Sequence, residues 1–167
     1  MFETPALIAA TAAMIPLMAV IGYLDLKYLK IPNWSVLAIL GVFLVTGLWG
    51  LPLEVFLWRL GYAVLVFLAG FLLFMFGRGR IGGGDMKLIA VLVPFITPAD
   101  IPSLLLLLSL ISLAGIMIHR FIYARRRGED IGWEALDQKI YFPVGLFIGF
   151  VMCIYLVRQV IERMAVA

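Results

Sequence analysis

Gly77-Arg78-Gly79-Arg80-Ile81-Gly82-Gly83-Gly84-Asp85-Met86-Lys87 is the stretch around which the rest of the chain is arranged. Five glycines between Gly77 and Gly84 precede a single carboxylate, and a long apolar segment follows it. Glycine lacks Cβ, so the backbone here can take positive φ and let another segment lie close against it. Asp85 stands where this permissive loop hands over to an apolar helix. An ionisable group at such a place points to function, and the first question is what it pairs with. The candidate partner is Asp25, in Tyr23-Leu24-Asp25-Leu26-Lys27.

The surrounding composition is that of a membrane protein. Of the 167 residues, 65% are hydrophobic, and the mean hydropathy is +1.13. That is too apolar for a soluble domain of this length, and it implies an all-α, polytopic bundle forming one domain over residues 1–167. The single cysteine, Cys153, excludes an internal disulfide framework and a thiolate metal cluster. Met1 to Thr4 carry Glu3 and no basic residue, so the first apolar run does not read as a cleaved signal peptide.

Apolar windows suggest six spans: about Pro5–Leu24, Trp34–Gly50, Val55–Phe76, Met86–Ile96, Ile101–Tyr123 and Tyr141–Val160. Lysine and arginine set the orientation. Ten fall in or beside the loops after spans one, three and five: Lys27, Lys30, Arg78, Arg80, Lys87, Arg120, Arg125, Arg126, Arg127 and Lys139. Three, Arg59, Arg158 and Arg163, fall on the other side. The positive-inside rule then places both termini away from the cytoplasm, and Asp25 and Asp85 at the cytoplasmic end. The fourth span is short. A dozen residues make about 18 Å of helix, against a hydrocarbon core of about 30 Å. If Thr97-Pro98 reaches the outer surface, Asp85 must sit below the inner one, in the wall of a polar cavity. Asn33, after Ile31-Pro32, is the expected N-cap of span two. Pro16 and Pro94 are expected to kink their spans.

Each candidate has a plain structural reading beside the functional one. Asp85 suits an N-cap of span four. Asp25 lies near the C-terminal end of span one, where the helix dipole disfavours an anion, but Lys27 or Lys30 could pair with it on the surface. Together the two are the only acids adjoining the spans on the cytoplasmic side outside the loop Glu129–Asp137. Two carboxylates brought close in a site of reduced polarity share one proton. That is the state aspartic proteolysis needs: the charged member takes a proton from water, while the protonated member polarises the carbonyl and then supplies the leaving amine. No metal and no cofactor is required. Lys87 reads as a positive-inside anchor, or as electrostatic support for a carboxylate. His119 reads as an interfacial polar residue and Cys153 as a packing residue. Gly145 and Gly149 form a small-xxx-small pair for helix packing. The segment Arg125–Lys139, with Glu129, Asp130, Glu134 and Asp137, suits a short helix at the membrane interface.

These motifs resemble the prepilin peptidases, the GxGD class of intramembrane aspartic peptidases. The chain is most similar to the short, peptidase-only members of Flp-type (tight-adherence) pili. The matching residues are Asp25 followed by Ile31-Pro32-Asn33, then Gly82-Gly83-Gly84-Asp85-Met86-Lys87-Leu88. A further piece is Pro143-Val144-Gly145, where many relatives have Pro-Tyr-Gly. The resemblance implies Asp25 and Asp85 as the catalytic pair, with Gly82, Gly84, Lys87, Pro143 and Gly145 as supporting or substrate-binding residues. It implies a prepilin or pseudopilin precursor as substrate, with a short basic leader and a hydrophobic helix. Cleavage on the cytoplasmic face of a bacterial inner (plasma) membrane follows, in a multi-pass protein embedded in the bilayer. No nucleic-acid partner is implied. Larger relatives also N-methylate the new terminus through an additional segment, often bearing Cys-x-x-Cys motifs. With neither segment nor cysteines here, methylation is not expected. The acidic loop Glu129–Asp137 would either attract the basic leader or simply be solvated.

The alternative from another class is a small transporter or channel component using Asp25 and Asp85 as ion or proton ligands. A related GxGD peptidase acting on other membrane-protein remnants, and an assembly scaffold without catalysis, are further alternatives. Against transport, the sequence has no internal repeat, and both acids fall at one face rather than at mid-membrane.

Overall fold

Long apolar runs with every backbone polar group in need of an internal partner leave one economical solution, a bundle of helices. The computed structural model describes residues 2–76, 82–126, 132–137 and 142–166, and shows no strand among them. In chain order the helices are α1 (Thr4–Tyr28), α2 (Asn33–Gly50), α3 (Leu53–Phe76), α4 (Gly83–Leu92), α5 (Ile101–Arg126), α6 (Glu134–Asp137) and α7 (Val144–Val166). Two 3-10 turns, Val93–Phe95 and Pro98–Asp100, join α4 to α5. Five helices are long and apolar enough to cross a membrane: α1, α2, α3, α5 and α7. The fourth apolar window becomes α4, which at 10 residues is the short element its sequence implied.

The helices meet in a core drawn chiefly from α1, α2, α4 and α7, with Met14, Ile21, Ile39, Phe43, Leu88 and Leu156 fully buried. Small residues bring the backbones together where helices cross. A Cβ on Gly22 of α1 would stand 2.6 Å from a Leu146 methyl, and one on Gly149 of α7 would stand 3.4 Å from Met18 Sδ. Gly149 therefore serves the packing role its spacing suggested. By contrast, α3 and α5 present Leu65, Leu72, Leu106 and Met117 outward, as lipid-facing helices do. The hydroxyls of Thr11, Thr46 and Ser109 donate to carbonyls four residues back in their own helices, so none is left unpaired in the apolar layer.

Two ends of the bundle can be told apart. At the far end, the start of α1 meets the end of α2, where the Glu3 N–H donates to the Gly50 carbonyl at 2.9 Å. Phe2, Phe43, Phe56 and Phe95 stack there. Arg59 of α3 is buried at this end and donates to the Pro94 carbonyl at 2.7 Å, with its guanidinium over the Phe2 ring. Pro94 thus ends α4 in a 3-10 turn, where a kinked continuous span was expected, and Arg59 takes up the carbonyl exposed by that break. Tyr155 of α7 accepts from the Thr97 N–H and donates to Asp100, which fixes the turn after it. The first residues of α1 and the last turns of α7 therefore lie at one end.

At the other end lie the close of α1, the starts of α2, α4 and α7, and the close of α3. Asn33 is the first residue of α2 and not its N-cap; Pro32 holds that position without a capping side chain. The Asn33 side chain instead accepts from Lys87. His119 is buried within the protein: its Nε2 donates to the Ala135 carbonyl and its ring meets the edge of Phe142. This bond holds α6 against α5, while Trp133 meets Tyr23 of α1 at 5.9 Å. Of the expected interfacial segment, α6 is described, and Glu129 and Asp130 lie outside the described residues. Cys153 packs half-buried against the core.

The contact at the far end carries a testable consequence. A Cβ on Gly50 would overlap the Cβ of Ala6, and neither atom can rotate away. Gly50→Ala should lower stability by about 1–3 kcal/mol, as overpacking does, seen as a lower thermal midpoint in detergent micelles. An unchanged midpoint would contradict this packing.

Candidate active site

Asp25 reaches its place through the way α1 ends. Leu29 caps the helix in the left-handed region, at φ 49, with its N–H on the Asp25 carbonyl. A leucine pays strain for that conformation. The turn sends the chain back so that Ile31 returns over the helix end. Asp25, one turn inside the end, is only 5% exposed.

The first turn of α7 meets it there. A helix N-terminus presents N–H groups without intrahelical partners. The residue before α7 is Pro143, whose side chain has no acceptor to offer them. Asp25 supplies the acceptor from another helix: the Leu146 N–H donates to Asp25 Oδ2 at 3.1 Å. The carboxylate thus gains a donor and the positive end of a helix dipole together. Gly145 is what lets it approach. A Cβ there would lie 3.0 Å from Asp25 Oδ2 and 2.7 Å from the Ile31 Cδ1.

Asp85 is the third residue of α4, whose N-cap is Gly82. Its side chain folds back over that N-cap, so that a Cβ on Gly82 would stand 2.5 Å from Asp85 Oδ2. Gly84 faces Ile31, where a Cβ would stand only 3.2 Å from the Ile31 Cβ, and Gly83 faces the ring of Phe74. The first and third glycines are therefore needed for different contacts, one by the carboxylate and one by Ile31. The glycine run works here by close approach and not by positive φ, since Gly82 sits at φ −62. Gly77 and Gly79 lie outside the described residues.

Ile31 links the two acids. It touches Gly145 beside Asp25 and Gly84 beside Asp85. The carboxylates of Asp25 and Asp85 are near enough to act on each other electrostatically. Residues sixty apart in the chain thus meet at one end of the bundle. Among the described residues neither has a salt-bridge partner. The surface pairing of Asp25 with Lys27 does not form, because Lys27 donates to the Tyr23 hydroxyl and lies against the Tyr23 and Tyr28 rings. Lys87 donates to Asn33 Oδ1 at 3.1 Å, which ties α4 to α2; among the described residues neither aspartate has an ammonium partner. Among the described residues no group of three His, Cys, Asp or Glu side chains is placed to hold a metal ion.

Two site features escape sequence reading. One is the Leu146 amide, a backbone group whose only trace is a proline-led helix start lacking a capping side chain. The other is the role of Ile31 as a wedge, signalled only by its position between a helix stop and Pro32.

The arrangement is that of a multi-pass membrane protein with Asp25 and Asp85 at the same end of its helices. The sequence profile of the type IV leader peptidase family matches residues 12–119, more than half of the chain and inclusive of Asp25 and Asp85. The chain belongs to this family and is a membrane peptidase with a leader-peptidase-like function. Comparison with curated proteins and with solved structures returned no match.

Gly145→Ala tests the geometry around Asp25. The added methyl must displace either Ile31 or the carboxylate, and a shift near 1 Å costs up to about a hundredfold in rate. Turnover should fall by at least tenfold while the protein remains folded by circular dichroism. Full activity would show that the Asp25–α7 contact does not matter to the reaction.

Proposed function

We propose that the chain is an aspartic endopeptidase that removes the short basic leader from Flp-like prepilin or pseudopilin precursors. The single observation that carries this reading is the approach of Asp25, buried, and Asp85, half-buried, on either side of Ile31, within electrostatic reach of each other and without a cationic partner among the described residues. Structural carboxylates in an apolar setting are ordinarily held by a cation. Two carboxylates within electrostatic reach of each other can share a proton instead.

In the proposed reaction one carboxylate is ionised and the other protonated. The ionised member takes a proton from a water molecule as its oxygen bonds to the scissile carbonyl carbon. The protonated member donates a hydrogen bond to the carbonyl oxygen, where negative charge develops. Collapse of the tetrahedral intermediate breaks the C–N bond, and a proton passes from the dyad to the leaving amine. Gly82 and Gly145 contribute by leaving room for the carboxylates, and Gly84 and Pro143 by setting the helix starts that carry them. Lys87 contributes by holding α4 to α2 through Asn33.

The setting proposed is a bacterial inner membrane, with the aspartate end toward the cytoplasm and both termini on the opposite side. The lysine and arginine bias of the sequence supports that orientation. The shared end of the start of α1 and the last turns of α7 supports the equal placement of the termini. The order Asp25, Ile31-Pro32-Asn33, then Gly82-Gly83-Gly84-Asp85 supports the prepilin class of substrate.

Asp25→Asn and Asp85→Asn, each alone, should abolish leader removal from a co-expressed prepilin, by at least about a thousandfold in rate, since members of one catalytic unit fail together. Gel mobility of the precursor reads the result, with protein level and detergent-extracted fold as controls. Cleavage retained by either variant refutes the dyad. A proton or ion flux lost in place of cleavage would favour the transporter alternative.

A further inference from the structure

A lateral groove lies beside the aspartate end, on the far side of α4 from Asp25. Its volume is about 480 Å³.

Its walls are three helix faces. Val36, Leu37 and Leu40 of α2 form one wall, and Ala63, Val64 and Phe67 of α3 form the other. Both sets follow the i, i+3, i+4, i+7 rhythm of one helical face when Asn33 and Leu60 are included. The floor is α4, through Ala90 and Val91, and Lys87, bonded to Asn33, lines the polar end. Leu37 and Val64 are 65% and 54% exposed, so the groove opens sideways.

The groove is a wedge with one closed end. α2 and α3 touch at the far end, where a Cβ on Gly47 would stand 2.9 Å from the Phe56 ring and Phe43 stacks on Phe56. From there they part toward the aspartate end. The open end is therefore at Lys87, two residues beyond Asp85 in the first turns of α4. From Leu60 to Phe67 the groove follows two turns of helix, about 10 Å.

We propose that this groove docks the apolar helix of the protein substrate, so that the helix end reaches the two aspartates. The inference rests on the leader-peptidase reading above and adds where the membrane-embedded part of the substrate is held. Three features favour a helix as occupant over a lipid chain. The deep surface carries alanines at 63 and 90, and small residues let a helix backbone come close, which a lipid chain does not require. The walls offer the spaced apolar ridges into which a helical face interlocks. The open end adjoins the site where the scissile bond must lie.

Two measurements test this on the full-length protein in membranes. A photoreactive phenylalanine analogue at Leu37 or Val64, in the Asp85→Asn background, should cross-link a full prepilin precursor several-fold more than the same probe at Leu106 of α5. Equal cross-linking at the three positions, or adducts with phospholipid alone at Leu37 and Val64, overturns the proposal. In the second measurement, Val64→Trp should fill the groove and raise KM for the full precursor several-fold, with kcat changed by less than about twofold, the signature of lost ground-state binding. Cleavage of a leader peptide that lacks the apolar helix should be unaffected. An unchanged KM for the full precursor overturns the groove alone. A wild-type protein that leaves every precursor whole overturns the leader-peptidase reading and this inference with it.

Discussion

A carboxylate at the end of one helix caps the start of another: Asp25 of α1 accepts the Leu146 N–H of α7. On that contact the rest of the site depends. Buried charges are expensive unless hydrogen-bonded, and the open N–H groups of a helix start are expensive unless accepted. Each removes the other's cost. The contact also places one end of α7 against one end of α1, so the two longest-packed helices of the bundle run antiparallel with their register fixed. Gly22, Gly145 and Gly149 keep that seam narrow.

The opposing acid is positioned by a different device. α4 is short, and its far end is held by Arg59 through the Pro94 carbonyl and by the Phe2–Phe95 stack. With that end fixed, the length of α4 decides the level at which Gly82 and Asp85 fall. That level is set inside the last turn of α1, where Asp25 lies. Ile31 then fills the space between the two helix starts and touches the glycine beside each acid. The far-end polar cluster of Arg59, Tyr155 and Asp100 thus serves the aspartate end at a distance by setting the depth of α4.

Much of this was legible in the residues. Apolar runs of span length bounded by charged or proline-bearing turns mark helices strongly, and all six windows became helices. The deficit in the fourth window was a matter of arithmetic, as was the sharing of one end by Asp25 and Asp85. What stayed hidden involves partners distant in the chain. Asn33 has every local mark of an N-cap, yet a lysine 54 residues away takes its side chain. His119 beside Arg120 gives no local sign that the Ala135 carbonyl will be brought over it. Arg59 entered only the charge count of the outer side, because nothing in its neighbourhood announces a broken helix 35 residues later. The glycine run suggested unusual backbone angles, whereas at Gly82 and Gly84 its use is to let a carboxylate and an isoleucine come close. In each case local chemistry was read correctly and tertiary contact chose between its possible uses.

The central claim is spatial, and a thiol-bridging measurement addresses it directly. In a Cys153→Ser background, cysteines replace the residues at positions 25 and 85, and a short bifunctional thiol reagent is applied in native membranes. The pair should bridge rapidly, as should a control pair at 22 and 146, while a pair at 25 and 100 should not. Bridging of the control pair without any bridging between 25 and 85 would contradict the account.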